Sequence, residues 1–218
     1  MTISHAYKNI SRFRRRYGMI TAIRSMIHYF FVAIRKSKLN SKNSIIEVNG
    51  TQLEIIPGDL GTSFELLMFK THEPFSTQIV RETLQKGMTC LDIGSNIGYY
   101  VTLESKVIGD QGRIIAIEPS PLNFEFLKRN VELQNRTNIE VFNFAAGEKN
   151  GQINFIMDEN ESNSGRVISD DKLATWSGPV TKLPVKTIDS FLDEMKIDKI
   201  DFLRMDVEGY EYHIFQGM

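Results

Sequence analysis

Three carboxylates in this sequence each close a short apolar run: Asp92 after Thr89-Cys90-Leu91, Glu118 after Ile114-Ile115-Ala116-Ile117, and Asp206 after Phe202-Leu203-Arg204-Met205. A fourth, Glu208, follows two residues later in Asp206-Val207-Glu208-Gly209. Asp92 also opens the turn Asp92-Ile93-Gly94-Ser95-Asn96-Ile97-Gly98, beyond which an apolar, helix-like segment starts at Ile97. A strand that ends in an acid, passes a glycine turn and enters a helix is how open α/β sheets build a nucleotide crevice. Gly94 and Gly98 carry no Cβ, so the turn can be tight and a ligand can come close to the backbone.

The spacing is Asp-x-Gly-x-x-x-Gly, where a dinucleotide fingerprint would read Gly-x-Gly-x-x-Gly. A pyrophosphate seeks uncompensated N–H groups at a helix N-terminus, and Asp92 adds negative charge at that place. The turn therefore disfavours an anionic ligand and a nicotinamide dinucleotide. It favours one that carries cations, such as the amino group and sulfonium of S-adenosylmethionine (SAM). Glu118, 26 residues after Asp92, is placed at a second strand tip, where its two oxygens can accept from both hydroxyls of a ribose.

The elements that must position these acids alternate. Residues 113–117 read as a near-continuous apolar strand, as a parallel strand covered on both faces should. Pro119-Ser120-Pro121 then supplies a stop, a cap and a first-turn proline for a helix over 121–135. Residues 139–144 read as a third strand ending in Ala145-Ala146-Gly147, whose small side chains leave room for a flat ring and suggest an adenine wall. Residues 148–186 interrupt the alternation with two added strands, 152–157 and 180–185, around a polar stretch. Thr187 can cap a helix over 188–195, and a last strand over 199–205 precedes Asp206 and a helix over 210–216. Right-handed crossovers order the early strands 3-2-1 and put the last one on the far side of the first. Asp92 and Asp206 then flank the point where the strand order reverses, which is where ligands bind in such sheets. The expected fold is α/β, a Rossmann-like sheet of order 3-2-1-4.

Upstream, Asn49-Gly50 between two apolar runs marks a hairpin, because both turn positions need positive φ. Thr62 and Glu65 form a possible capping box for a short helix through Phe69. Ser76 can cap a second helix that stops at Gly87. His72 and Glu73 lie between these helices and read as an exposed turn near the sheet. The division expected is a basic arm over 1–42, a hairpin and short helix over 43–70, and a cofactor-binding domain over 71–218.

The blocks Asp92-Ile93-Gly94-Ser95-Asn96-Ile97-Gly98, Glu118-Pro119-Ser120-Pro121 and Ile200-Asp201-Phe202-Leu203-Arg204-Met205-Asp206-Val207-Glu208-Gly209-Tyr210-Glu211 resemble the signatures of the FkbM family of SAM-dependent methyltransferases, and Glu73-Pro74 resembles an upstream element of that family. The resemblance covers about residues 71–218, and the Asp-Val-Glu-Gly block is its most discriminating part. It implies a class I methyltransferase fold and methyl transfer from SAM, mostly to a hydroxyl of a sugar, glycan or secondary metabolite. Carried over by position, Asp92, Gly94, Asn96 and Gly98 would frame the methionine part of SAM. Glu118 would hold the ribose, Ala145 would approach the adenine, and Asp206 would stand beside the transferable methyl. Ser95, Pro119 and Glu73 complete the expected cofactor contacts. The resemblance also implies strands beyond the Asp-Val-Glu-Gly helix that this chain does not contain, so it reads as C-terminally incomplete.

An alcohol acceptor has to lose a proton, and a positioned base contributes about 10²–10⁴-fold. Asp206 and Glu208 are the candidates, since two acids two residues apart raise one another's pKa if both are buried. The alternative reading is that Glu208 caps the following helix or pairs with Arg204. No metal-ligand cluster is evident, and no Asn/Asp-Pro-Pro-aromatic block points to nucleic-acid amino methylation.

The formal charge of −1 hides a split. Residues 1–42 hold ten Lys/Arg and no Asp or Glu, leaving sixteen basic against 27 acidic residues in the rest of the sequence. Apolar residues at helical steps in the arm (Ile20, Ile23, Ile27, Phe30, Phe31, Ile34) leave two readings open: an amphipathic helix on an anionic membrane surface, or a helix packed on the acidic body. The body's acidity opposes a nucleic-acid partner. The lone Cys90 excludes an internal disulfide framework and fits a reducing, cytoplasmic setting, with peripheral contact at the inner membrane face if the arm binds lipid. The alternative to an enzyme is a non-catalytic membrane-associated or partner-binding module.

Overall fold

The computed structural model describes residues 45–59, 61–157, 165–168, 173 and 175–218. The basic arm expected over 1–42 lies outside the described residues, as does most of the polar stretch after Met157. Asn49 (φ 56°) and Gly50 (φ 71°) turn β1 (Ile45–Val48) into antiparallel β2 (Thr51–Glu54), with the positive φ values that an Asn-Gly hairpin needs. Asn130, on the helix after the second sheet strand, fastens this hairpin to the body. Its Nδ2 donates to the Glu54 carbonyl at 2.9 Å and to the Ile97 carbonyl at 2.7 Å.

The cap of α1 (Thr62–Phe69) departs from the Thr62–Glu65 box. Asp59 takes that role instead: its Oδ1 accepts from Gly61 N at 2.9 Å and its Oδ2 from Ser63 N at 2.8 Å. Glu65 binds His72 Nδ1 at 2.7 Å. Likewise α2 (Pro74–Thr83) starts at Pro74 and not after Ser76, with proline's fixed φ in the first turn.

Next come β3 (Thr89–Ile93), α3 (Tyr99–Ile108), β4 (Arg113–Ile117), α4 (Pro121–Gln134) and β5 (Ile139–Phe142), followed by the two-residue β6 (Ala145–Ala146). The chain continues through β7 (Gly151–Ile156), β8 (Arg166–Ile168), β9 (Thr181–Lys186), α5 (Ile188–Met195), β10 (Phe202–Met205) and α6 (Glu211–Phe215). The main sheet has the order β10-β3-β4-β5, all parallel, which is the 3-2-1-4 arrangement expected. Its strands alternate between two cores. Cys90, Ile114 and Ala116 face the core shared with α3 and α4, whereas Leu91, Ile93, Ile115 and Ile117 face Phe144, Phe191 and Ile214. Helices on both faces explain why β4 is apolar along its length.

Several boundaries differ from the sequence expectation, among them the last strand, which starts at Phe202 and not at 199. The helix after the glycine turn starts at Tyr99, because Gly98 is left-handed (φ 91°) and cannot belong to it. The third strand stops at Phe142: Asn143 turns its amide to the carbonyls of Glu118 (2.8 Å) and Pro119 (3.0 Å), breaking the ladder. Ala145 and Ala146 then pair with β9 in a second sheet of order β6-β9-β7-β8.

Candidate functional site

The turn after β3 is tied to the tip of β4. Gly94 N and Ser95 N both donate to the Ile117 carbonyl, at 2.9 and 3.1 Å. A Cβ on Gly94 (φ 82°) would stand 2.1 Å from the Asp206 carbonyl oxygen, so the approach that excludes a side chain here comes from the tail of β10. At Gly98 a Cβ would meet Leu127 Cδ1 at 2.8 Å, which makes this glycine a condition for packing α3 on α4. Both close contacts are internal to the protein, whereas the sequence suggested a ligand.

Within the turn, Ser95 Oγ donates to the Asp92 carbonyl at 3.0 Å and to Asp92 Oδ1 at 3.2 Å. Asn96 is left-handed (φ 51°), which aims its backbone N–H at Glu118 Oε2, 2.7 Å away. Ser120 N donates to the other oxygen, Glu118 Oε1, at 2.8 Å, while Ser120 Oγ caps α4 by accepting from Asn123 N. Burial pushes the Glu118 carboxyl up to about 7, against the hydrogen bonds from Ser120 N, Asn96 N and the Asn123 side chain that favour its charged form.

Arg204 joins the remaining acids. It lies in register with Asp92 across the β10–β3 ladder. Its Nη1 donates to Asp92 Oδ1 at 3.2 Å and its Nη2 to Asp206 Oδ2 at 2.9 Å. The guanidinium carbon stands 3.8 Å over the Tyr100 ring, a cation–π arrangement. Tyr100 OH donates to Glu73 Oε2 at 3.3 Å. A continuous chain therefore runs from Glu73 through Tyr100 and Arg204 to Asp92 and Asp206.

Asp92 is fully buried; burial raises its pKa and Arg204 and Ser95 pull it back. Its second oxygen, Oδ2, is buried with no hydrogen-bond partner among the described residues. A cationic donor such as the SAM amino group, directly or through one water, would satisfy that oxygen, so the residues present fit this ligand.

The structure thus brings Asp92, Gly94, Ser95, Asn96 and Glu118 into one hydrogen-bonded turn and adds Asp206 and Glu73 through Arg204 and Tyr100. Ala145 is buried in β6, and Pro119 holds Asn143 through its carbonyl. His72 and Glu73 are not an exposed turn: the His72 side chain is 13% exposed, with its ring edge-on to Tyr99 and Tyr100. Asp206 and Glu208 are both exposed, so the burial required for them to act on one another is absent. Glu208 is left-handed (φ 54°), and α6 begins at Glu211 with Tyr210 as its N-cap residue. His213 stacks on Tyr210 with ring centroids 4.6 Å apart, its Nδ1 3.4 Å from Glu148 Oε2. Among the described residues no group of three or more His, Cys, Asp or Glu could hold a metal ion.

Sequence reasoning underrated Arg204 and did not pick out Tyr100 or Glu104. The signal for Arg204 was available: a charged residue inside an apolar parallel strand, two before Asp206, needs an anionic partner on the neighbouring strand. Tyr100 carried no such signal, since a tyrosine in an apolar helix reads as core.

An open parallel sheet whose order reverses beside an acid-glycine turn defines a Rossmann-like α/β fold of the methyltransferase kind. Residues 92–218, more than half of the chain, match the methyltransferase FkbM domain, and the chain belongs to that family. It is 27% identical to Methyltransferase 1 of Beauveria bassiana, over 59% of this chain and 57% of that protein. It is 25% identical to the hexuronic acid methyltransferase AglP of Haloferax volcanii, over 65% of this chain and 54% of that protein. The chain therefore spans a little over half the length of each. Among solved structures it is similar to the methyltransferase FkbM from Methylobacillus flagellatus, with 19% identity, a TM-score of 0.40, and coverage of 72% of this chain and 39% of the other.

Proposed function

We propose that this chain binds SAM at the turn after β3 and serves the methylation of a hydroxyl on a sugar, glycan or related small molecule. The observation that carries the reading is the unpartnered, buried Oδ2 of Asp92 at the point where the sheet order reverses. SAM supplies an electrophilic methyl on a positively charged sulfur. The chain's own residues have separate tasks around it.

Asp92, held on one side by Ser95 and Arg204, leaves its other oxygen to the ligand's ammonium group. Glu118 accepts from Asn96 N, Ser120 N and the Asn123 side chain, and its remaining acceptor site suits a ribose hydroxyl. Ala145 offers a small wall for the adenine. Asp206 is exposed at the strand tip with one oxygen on Arg204. It is positioned to take the acceptor's hydroxyl proton while Arg204 stabilises its charge, and Glu208 is the second candidate for that task. Orienting the acceptor oxygen on the methyl, at about 3–3.5 Å, would be the protein's other contribution.

A carbohydrate acceptor draws support from the name of the hexuronic acid methyltransferase to which this chain is similar. The test is transfer of label from methyl-labelled SAM to a panel of uronic acids, neutral sugars and simple alcohols. Label in an alkali-stable ether is the expected product. Label lost in mild alkali would indicate a carboxyl ester and overturn the hydroxyl reading. Absence of label from every acceptor, with SAM bound, would favour a binding module.

A further inference from the structure

Glu104 is the most unusual residue near the site. It lies on α3, is fully buried, and neither carboxyl oxygen has a hydrogen-bond partner among the described residues. It follows Tyr100 by one helical turn, so both project from the same face of α3, and Tyr100 is the ring on which the Arg204 guanidinium rests. Cys90, Asp92 and Arg204 point to that face of the sheet. The groups that face Glu104 are accordingly Asp92 and Cys90 from β3 and Arg204 from β10, with Asp206 one ion pair further out.

We propose that Glu104 is a charge-selecting residue: it keeps a proton until a positively charged sulfur binds beside Asp92, and then gives it up. This rests on the SAM-binding reading above. The charges explain the device. With Glu104 neutral, Arg204 and the carboxylates of Asp92 and Asp206 sum to one negative charge. Ionised Glu104 would make it two, with Glu104 and Asp92 themselves shut off from water. Burial, with the Asp92 charge added, therefore holds its carboxyl well above the usual range, and Arg204 offsets only part of this. A ligand cation placed against the cluster lowers the cost of the second negative charge. Both ligands bring an ammonium group to Asp92, but only the donor adds a charged sulfur; the thioether of the demethylated product S-adenosylhomocysteine is neutral. Ionised Glu104 then holds the donor and releases the product.

Glu118 also responds to ligand, but through the ribose, which donor and product share. The difference between the two ligands removes Glu118, and the Glu104→Gln variant separates Glu104 from Asp92, whose pKa burial also raises. The experiment is calorimetric titration of the 218-residue chain with SAM and with S-adenosylhomocysteine, in buffers of different ionisation enthalpy, from about pH 6 to about pH 9. Wild type should release more protons with SAM than with the product, and its preference for SAM should rise roughly three- to tenfold across that range. Glu104→Gln should flatten the preference while still binding both ligands. The ligands' own amino groups titrate alike in the two proteins.

Equal proton release with both ligands in wild type, which needs no variant to fold, would overturn the proposal. A pH-dependent preference that survives in Glu104→Gln would do so as well, and both results leave SAM binding standing. No binding of SAM by folded wild type would instead remove the underlying reading and this one together.

Discussion

Asp92 and Asp206 hold two nitrogens of the same guanidinium, Arg204 Nη1 at 3.2 Å from the first and Nη2 at 2.9 Å from the second. One acid is fully buried and the other is half-exposed, with a side chain 45% accessible. Arg204 thus links the turn after β3 to the tip of β10, the two sides of the crevice.

Removing that link should be costly. Arg204→Leu leaves Asp92 buried without its cation, and truncating one partner of a buried ion pair costs about 3–5 kcal/mol. Arg204→Lys keeps the charge but cannot fork to two carboxylates, so its loss should be smaller. Denaturant unfolding checks both variants; a change in Arg204→Leu within error of wild type would show that the pair contributes nothing.

Gly94→Ala should be far more damaging than Gly98→Ala. Both have positive φ and so share that strain, but at Gly94 the new methyl also meets backbone, the Asp206 carbonyl at 2.1 Å. At Gly98 it meets the end of a leucine side chain at 2.8 Å, which can move. The expected order is about 3 kcal/mol or more against about 1–2 kcal/mol. Thermal unfolding of the two variants decides it, and equal losses would contradict the contact described.

Glu118 gives a pH dependence with a definite sign. Its carboxyl sits at about 7 in the fold against an ordinary 4.5. The folded protein therefore binds more protons between these values, and stability falls as pH rises from about 4.5 to about 7. Ribose hydroxyls favour the charged form, so affinity for adenosine-containing ligands should rise with pH up to about 7 and then level off. Glu118→Gln should weaken binding and flatten the curve. A wild-type affinity for S-adenosylhomocysteine that stays constant from about pH 5 to about pH 8, after subtracting the ligand's own titration, would speak against it.

Periodicity and turn chemistry made the sheet order legible before any coordinates. The runs ending at Asp92, Glu118 and Asp206 are apolar and parallel-like, and Asn49-Gly50 and Ser120-Pro121 announce their turns directly. What stayed hidden depends on contacts distant in sequence. Asp59 outcompetes Thr62 as the α1 cap because its carboxylate reaches two N–H groups at once. The third strand breaks at Asn143 because that amide finds two carbonyls on the loop after β4. The acids of the site could be named from the sequence, but Arg204, Tyr100 and Glu104 became visible only when the β10–β3 register and the α3 face were known. Glu104 in particular breaks the rule that buried acids have partners, and a local exception of that kind is where function is expected.

The most direct test of the account is calorimetric titration of SAM into wild type and Asp92→Ala, with circular dichroism to confirm that both are folded. The account predicts binding by wild type and a loss of about ten- to hundredfold in Asp92→Ala, the scale of one hydrogen bond to a charged group. Equal affinity in the two proteins, or no binding by folded wild type, would contradict it.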